Sequence, residues 1–246
     1  MLPCAKLSRP REYVLLSMVM AASFVEITAA DCPAKWSALR VPPDAPIIVR
    51  ALAVFDDGTG PALYVGGEFE TINGQVMNNL AKWDGQEWSP VGGGVTGSMS
   101  SGPSIDTLSV LDLGEGPELY VGGDFQYAGG LDVNGVAKWD GLNWSGFGTE
   151  LEPSDDSLEW FHVYEISAID DGSGTQLYVG GAFTVNLSSD TLLGVARWNA
   201  GGWQRAMDDL NRWWDSYAPI VGALYSWNPG GSSGLLVGGT FSGGLI

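Results

Sequence analysis

His162 is the only histidine in the 246 residues. A zinc or copper centre built from imidazoles is therefore excluded in practice. A Ser-His-Asp arrangement would have to use this one residue, and no nucleophile elbow accompanies it. Carboxylates are abundant, with 29 Asp+Glu against 11 Lys+Arg. Two acidic clusters stand beside aromatics: Asp155, Asp156 and Glu159 next to Trp160, and Asp208, Asp209 and Asp215 around Trp213-Trp214. Glycoside cleavage needs two carboxyl groups at a fixed separation, one with a raised pKa. These clusters are where a carbohydrate-active hydrolase or lyase would keep its acid and base, although solvated loops in so acidic a chain produce the same pattern. Asp56-Asp57, Asp112 and Asp170-Asp171 recur beside glycines. Their oxygens suit Ca2+, which is the one cofactor left open. The spacing is not that of an EF-hand loop, and an Asp that caps its own turn explains the same residues. No P-loop and no dinucleotide fingerprint is present, so no nucleotide cofactor is expected.

The formal charge of -18 argues against a nucleic-acid partner, because binding phosphates requires clustered Lys and Arg. It disfavours anionic membrane surfaces for the same reason. The composition is that of a folded chain: 45% apolar, 16% charged, with 11 tryptophans. The 36 glycines follow no three-residue period, which excludes collagen.

Residues 1–30 read as a secretory signal peptide. Lys6, Arg9 and Arg11 precede an apolar run from Tyr13 to Val25, and Thr28-Ala29-Ala30 supplies small residues for cleavage. The run is short for a spanning helix. Cleavage would leave eight of the eleven basic and 27 of the 29 acidic residues, a net charge of -19. Cys4 would be removed and Cys32 would stand alone, so no intrachain disulfide is possible. The expected location is extracellular or on the cell surface.

The rest, 31–246, repeats itself. Leu63-Tyr-Val-Gly-Gly-Glu-Phe69 returns as Leu119-Tyr-Val-Gly-Gly-Asp-Phe125, as Leu177-Tyr-Val-Gly-Gly-Ala-Phe183, and without the Tyr as Leu236-Val-Gly-Gly-Thr-Phe241. The first glycines fall at 66, 122, 180 and 238, at intervals of 56, 58 and 58. Ala81-Lys-Trp-Asp-Gly-Gln-Glu-Trp88 keeps the same beat through Ala137-Lys-Trp-Asp-Gly-Leu-Asn-Trp144 and Ala196-Arg-Trp-Asn-Ala-Gly-Gly-Trp203. A third element, Ala51-Leu-Ala-Val-Phe-Asp-Asp-Gly58, precedes each Gly-Gly motif.

Each unit holds four runs rich in β-branched and aromatic residues, separated by Gly/Asp turns that favour hairpins. In the first unit strand a is placed at 47–55, b at 62–69, c at 78–84 and d at 86–92. The class is all-β: a β-propeller-like array of four-stranded antiparallel blades, about 57 residues each, with three full blades and a partial fourth. The Gly-Gly pairs are expected to admit a neighbouring aromatic, with Trp83, Trp139 and Trp198 filling the space. Lys82, Lys138 and Arg197 occupy one repeat position, where an ion pair with Glu68 or Asp124 is expected.

These motifs resemble those of secreted bacterial repeat proteins with LYVGGxF…WDGxxW units, a kelch-like or galactose-oxidase-like propeller group. The resemblance spans about 34–246. It implies a propeller fold and, for kelch-like propellers in general, binding of proteins or glycans with only occasional catalysis. The single histidine removes the copper chemistry of the galactose-oxidase relatives. The fourth unit stops at Ile246 before any Trp-Asp-Gly segment. Either Lys35-Trp36-Ser37-Ala38-Leu39 serves as its last strand and closes the ring, or the array continues in a longer protein, which is the expected case because an open end exposes strand edges.

In a propeller the d–a and b–c connections share one face. The d–a connections here differ in sequence: 93–104 is Gly/Ser-rich, 149–162 ends in Trp160-Phe161-His162, and 207–219 carries Trp213, Trp214 and Tyr217. Variable loops on a rigid frame are where binding resides, and aromatics there stack on sugars or anchor a protein. The expected function is non-catalytic binding of an extracellular protein or glycan through these six residues. The alternatives are the hydrolase or lyase above, or a structural surface or matrix component. The same aromatics could instead cap the core beneath the loops.

Overall fold

The computed structural model describes residues 47–100, 102–153, 161–170, 174–187, 190–199, 202–206, 219–227 and 234–240. All regular structure among them is β-strand, and every pairing is antiparallel. The first repeat contains β1 (Ile48–Asp56), β2 (Pro61–Glu68), a small hairpin β3 (Thr71–Ile72) and β4 (Gln75–Val76), then β5 (Leu80–Trp83) and β6 (Trp88–Pro90). After β7 (Val95–Thr96) the second repeat runs through β8 (Ser104–Asp112), β9 (Pro117–Asp124), β10 (Tyr127–Ala128), β11 (Leu131–Asp132), β12 (Val136–Trp139) and β13 (Trp144–Gly146). After β14 (Leu151–Glu152) the third has β15 (His162–Asp170), β16 (Thr175–Leu187), β17 (Asp190–Asn199) and β18 (Gly202–Arg205). The fourth shows β19 (Ile220–Trp227) and β20 (Gly234–Thr240).

The sheet orders β1-β2-β5-β6 and β8-β9-β12-β13 repeat the same four-strand meander, and β15, β16, β17 and β18 pair in the same succession. The turns explain the pairing. Asp56 Oδ1 accepts from the amides of Gly58 and Gly60 (3.0 and 2.9 Å), and Asp112 Oδ1 does the same for Gly114 and Gly116 (2.8 and 3.1 Å). In the third-to-fourth strand turns, Asp84 and Asp140 each accept from two following amides, at 2.6 to 2.9 Å. Gly85 and Gly141 then take φ of 101° and 102°, where a side chain would be strained.

Successive meanders are stitched at one end. The connection that leaves the first meander supplies β7, which pairs with β10 inside the second. β14 pairs with β16 of the third in the same way. The end-of-sheet connections that the sequence leaves as loops are thus partly built into the sheet of the next repeat. In the third repeat the hairpin corresponding to β10–β11 is absorbed into the long strands β16 and β17.

The Gly-Gly pairs do two different things. A Cβ on Gly66 would lie 2.5 Å from Ile105 Cγ2 and 3.3 Å from Leu108. On Gly122 it would meet Val163 and Ile166 (both 2.9 Å), and on Gly180 it would meet Val221 (2.7 Å) and Leu224 (3.3 Å). The residue that needs the first glycine is therefore an aliphatic from the first strand of the next repeat. The expected tryptophan filler is not what occupies this space. Trp139 and Trp144 instead pack over Gly92 of the preceding repeat, and Trp144 Nε1 donates to Gly92 O at 2.9 Å. The second glycine faces backbone: a Cβ on Gly67, Gly123, Gly181 or Gly239 would fall on the carbonyl oxygen of Ile48, Ser104, His162 or Ile220. The core lies between repeats accordingly, with Tyr64 and Leu80 clustered with Ile105, Leu119 and Val121, and Tyr120 with Val163 and Ile166.

Candidate functional site

The crowding at the second glycine produces a bulge in every first strand. Registers slip between Val49 and Ala51, Ile105 and Thr107, Val163 and Glu165, and Val221 and Ala223. The extra residues are Arg50, Asp106, Tyr164 and Gly222. A bulge bends its strand and re-aims a side chain. Here three consecutive bulges bring their side chains together.

Asp106 is at the centre. Its side chain is only 3% exposed. Oδ2 lies 2.7 Å from His162 Nδ1, and Ser104 Oγ donates to the same oxygen at 3.4 Å. Oδ1 has no hydrogen-bond partner and stands 3.4 Å from Arg50 Nε. Arg50 Nε donates to Glu68 Oε1 at 3.0 Å, and this bond raises the guanidinium pKa from its ordinary value against the opposing effect of burial. The His162 ring stacks on Tyr164, with centroids 5.1 Å apart and planes 8° apart. Burial, then the Asp106 charge, raises the Tyr164 phenol above its usual range, so the hydroxyl stays protonated. The stack is half-buried and Arg50 is exposed, so the cluster opens to solvent on one side.

Beside it, Asp124 is fully buried and accepts from Ser98 Oγ (2.8 Å), Met99 N (2.6 Å), Ser100 N (3.2 Å) and Ser100 Oγ (2.6 Å). The Gly/Ser-rich connection 93–104 is thereby pinned, and Ser100 Oγ also reaches Phe161 O at 3.5 Å.

Chemically, the cluster offers a buried carboxylate with a spare acceptor, an oriented imidazole, a guanidinium and an aromatic stack. A carboxylate that holds an imidazole is the orienting half of a general base. Ser104 reaches the carboxylate, not the far side of the ring, so the order of a nucleophilic triad is not assembled by these residues.

Of the residues expected to bind a partner, Trp160, Trp213, Trp214 and Tyr217 lie outside the described residues, as do the acidic clusters 155–159 and 208–215. Phe161 is fully buried and packs against Gly135, so its ring belongs to the core. His162 lies in the cluster. Of the carboxylates considered for Ca2+, Asp56 caps its turn, Asp170 is exposed at the end of β15, and Asp171 lies outside the described residues. Asp57 Oδ2 accepts from Lys82 Nζ (2.5 Å) and from the Tyr64 hydroxyl (2.8 Å), and Oδ1 accepts from Thr59 Oγ1 (2.6 Å). A cation already sits on that carboxylate. Among the described residues no group of three or more His, Cys, Asp or Glu is placed to hold a metal. Lys82 thus pairs with Asp57, and Lys138 pairs with Glu118 (2.8 Å), not with the expected Glu68 and Asp124. The reason is register: Lys82 lies opposite Tyr64 and Lys138 opposite Tyr120, near the turn end of the sheet, whereas Glu68 and Asp124 lie at the bulge end.

Arg50, Glu68, Asp106 and Tyr164 were not foreseen from the sequence as a site. The available signal was weak: each lies at a fixed offset from a Gly-Gly pair, but the bulge residue changes type at every repeat. No family model, no curated protein and no solved structure matches the chain.

Proposed function

We propose that the protein is a secreted, non-catalytic, β-propeller-like repeat protein that binds an extracellular glycan at the bulge cluster. The supporting observation is the convergence of Arg50, Asp106, His162 and Tyr164 from three successive first strands. Sugar recognition calls for fixed donors and acceptors beside an aromatic face, and each of these is present in the cluster. The unpartnered Asp106 Oδ1 accepts from a sugar hydroxyl, and the His162–Tyr164 stack carries the apolar side of the ring. Arg50 is held by acidic neighbours, so neutral sugars are favoured over anionic ones. The four-strand meanders, their regular interval and the end-to-end stitching support successive blades. The basic, apolar and small-residue order of 1–30 supports export.

The test is a panel of neutral and acidic oligosaccharides, read by calorimetry and by product analysis. Retention of a neutral glycan without turnover, weakened by Asp106→Ala and by His162→Ala, is expected. Release of a shortened product would place the site in the hydrolase or lyase class. Capture of a protein partner with no glycan bound, or binding unchanged by either substitution, would overturn the assignment.

A further inference from the structure

The seam between repeats forms three times inside the chain, and its two halves are left open at opposite ends. In each internal copy, two aliphatics of a first strand sit over the first glycine of the preceding repeat. By register, Val49 and Leu52 hold those positions in β1, since they lie opposite Gly67 and Val65 as Ile105 and Leu108 lie opposite Gly123 and Val121. Yet Val49 is 45% and Leu52 60% exposed, while Ile105, Val163 and Val221 are fully buried.

The reciprocal half is open on the fourth repeat. Leu236 lies opposite Tyr225 as Tyr64 lies opposite Ala53, and it is 52% exposed where Tyr64 is buried. Trp227, at the position of the buried Phe55, is 53% exposed. A Cβ on Gly238 would meet only its own neighbour Ala223, at 3.5 and 3.9 Å. No described residue from another repeat crowds it.

Exposed apolar faces of this kind mark association surfaces. Both halves are bare in the same molecule, so the chain does not join them to each other. Each half is the partner that the other has at the three internal seams. We propose that a second copy of this chain docks head to tail, with Val49 and Leu52 of one molecule seated over Gly238 of the next. The contact is heterologous: different patches meet, and each dimer keeps one free half at either end. It is independent of the glycan site, whose residues lie at the bulges.

The experiment is sedimentation velocity on the chain over a range of micromolar concentrations, with circular dichroism as the fold check. Concentration-dependent association is expected. Leu52→Asp removes one half and Gly238→Val blocks the other. Each should weaken self-association about tenfold or more, with an unchanged spectrum because both positions are open in the monomer. The two variants mixed should form a one-to-one complex that grows no further, because each retains the half that the other lacks. A parent chain that stays monomeric at all concentrations, as it would if its own residues 1–46 covered β1, overturns the proposal. So does a mixture that fails to associate while the parent does, which would indicate a like-with-like contact.

Discussion

Asp106 and His162 lie on first strands of different repeats, yet Asp106 Oδ2 is 2.7 Å from His162 Nδ1. Both side chains owe their position to bulges opposite Gly123 and Gly181, and the contact ties the second repeat to the third. Asp106→Ala is therefore expected to reduce stability as well as glycan binding. It leaves His162 and Arg50 without their shared acceptor, a loss of about 1–3 kcal/mol for buried hydrogen-bonded groups. Asp106→Asn retains an acceptor oxygen and should recover most of the stability. Urea unfolding of the three chains measures it; equal midpoints for parent and Asp106→Ala would show that the contact is not stabilising.

Gly66→Ala and Gly67→Ala separate the two roles of the Gly-Gly pair. At Gly66 the obstacle is the side chain of Ile105, which can shift, so the cost is that of an overpacked core, about 1–3 kcal/mol. At Gly67 the obstacle is the backbone carbonyl of Ile48, which can move only if the bulge reforms. Gly67→Ala should therefore be the more damaging and should also displace Arg50. Chemical denaturation ranks the pair; the reverse order would remove the assigned cause of the bulge.

The repeat interval and the alternation in the Leu-Tyr-Val-Gly-Gly motif were enough to place the strands. Strand a of the first unit, expected at 47–55, is β1 at Ile48–Asp56, and strand b, expected at 62–69, is β2 at Pro61–Glu68. Strands c and d came out shorter than expected, at Leu80–Trp83 and Trp88–Pro90, because Asn78 and Asn79 take φ of 50° and 70° and Gly85 turns the hairpin early. The site was much less legible. Alternation assigns faces only while the register holds, and a bulge moves one residue per strand off its face. That residue is Arg, Asp, Tyr and Gly in turn, so a search for recurring residues passes over it. The tryptophans misled for a related reason. Their recurrence shows a shared structural role, but only coordinates show that Trp144 answers Gly92 and that Ile105 answers Gly66.

Asn79 tests how one repeat solves a problem that the others solve with glycine. Its φ of 70° matches Gly135 at 78° and Gly194 at 71°, the residues before the third strand in the next two repeats. Its buried amide accepts from Phe69 N at 2.9 Å and donates to Val95 O at 3.1 Å, bridging the two connections at that end. Asn79→Gly keeps the backbone and loses the bridge, at about 1–2 kcal/mol. Asn79→Ala loses the bridge and adds the strain of a positive φ, so it should be the less stable by roughly 1 kcal/mol more. Thermal or urea unfolding measures the order; equal stability of the two variants would mean that the left-handed conformation carries no penalty here.

The Asp57–Lys82 pair gives the chain a pH dependence with a definite sign. Burial alone would raise the Asp57 pKa. The hydrogen bonds from Lys82, Thr59 and Tyr64 outweigh it and hold the carboxyl well below the usual carboxylate range. In the unfolded chain the group returns to its ordinary value near 3.9. A carboxylate depressed by folding contributes stability that is fully present above its unfolded pKa and is lost as pH falls through the folded one. Lys82→Met removes the charged donor and leaves burial less opposed, so the folded pKa of Asp57 rises. The difference in unfolding free energy between parent and variant should be constant above about pH 5 and shrink progressively below about pH 4. Unfolding curves at a series of pH values, with the Asp57 carboxyl followed by NMR, measure both sides of this linkage. A difference that widens on acidification would mean that Asp57 is not held as the anion by Lys82.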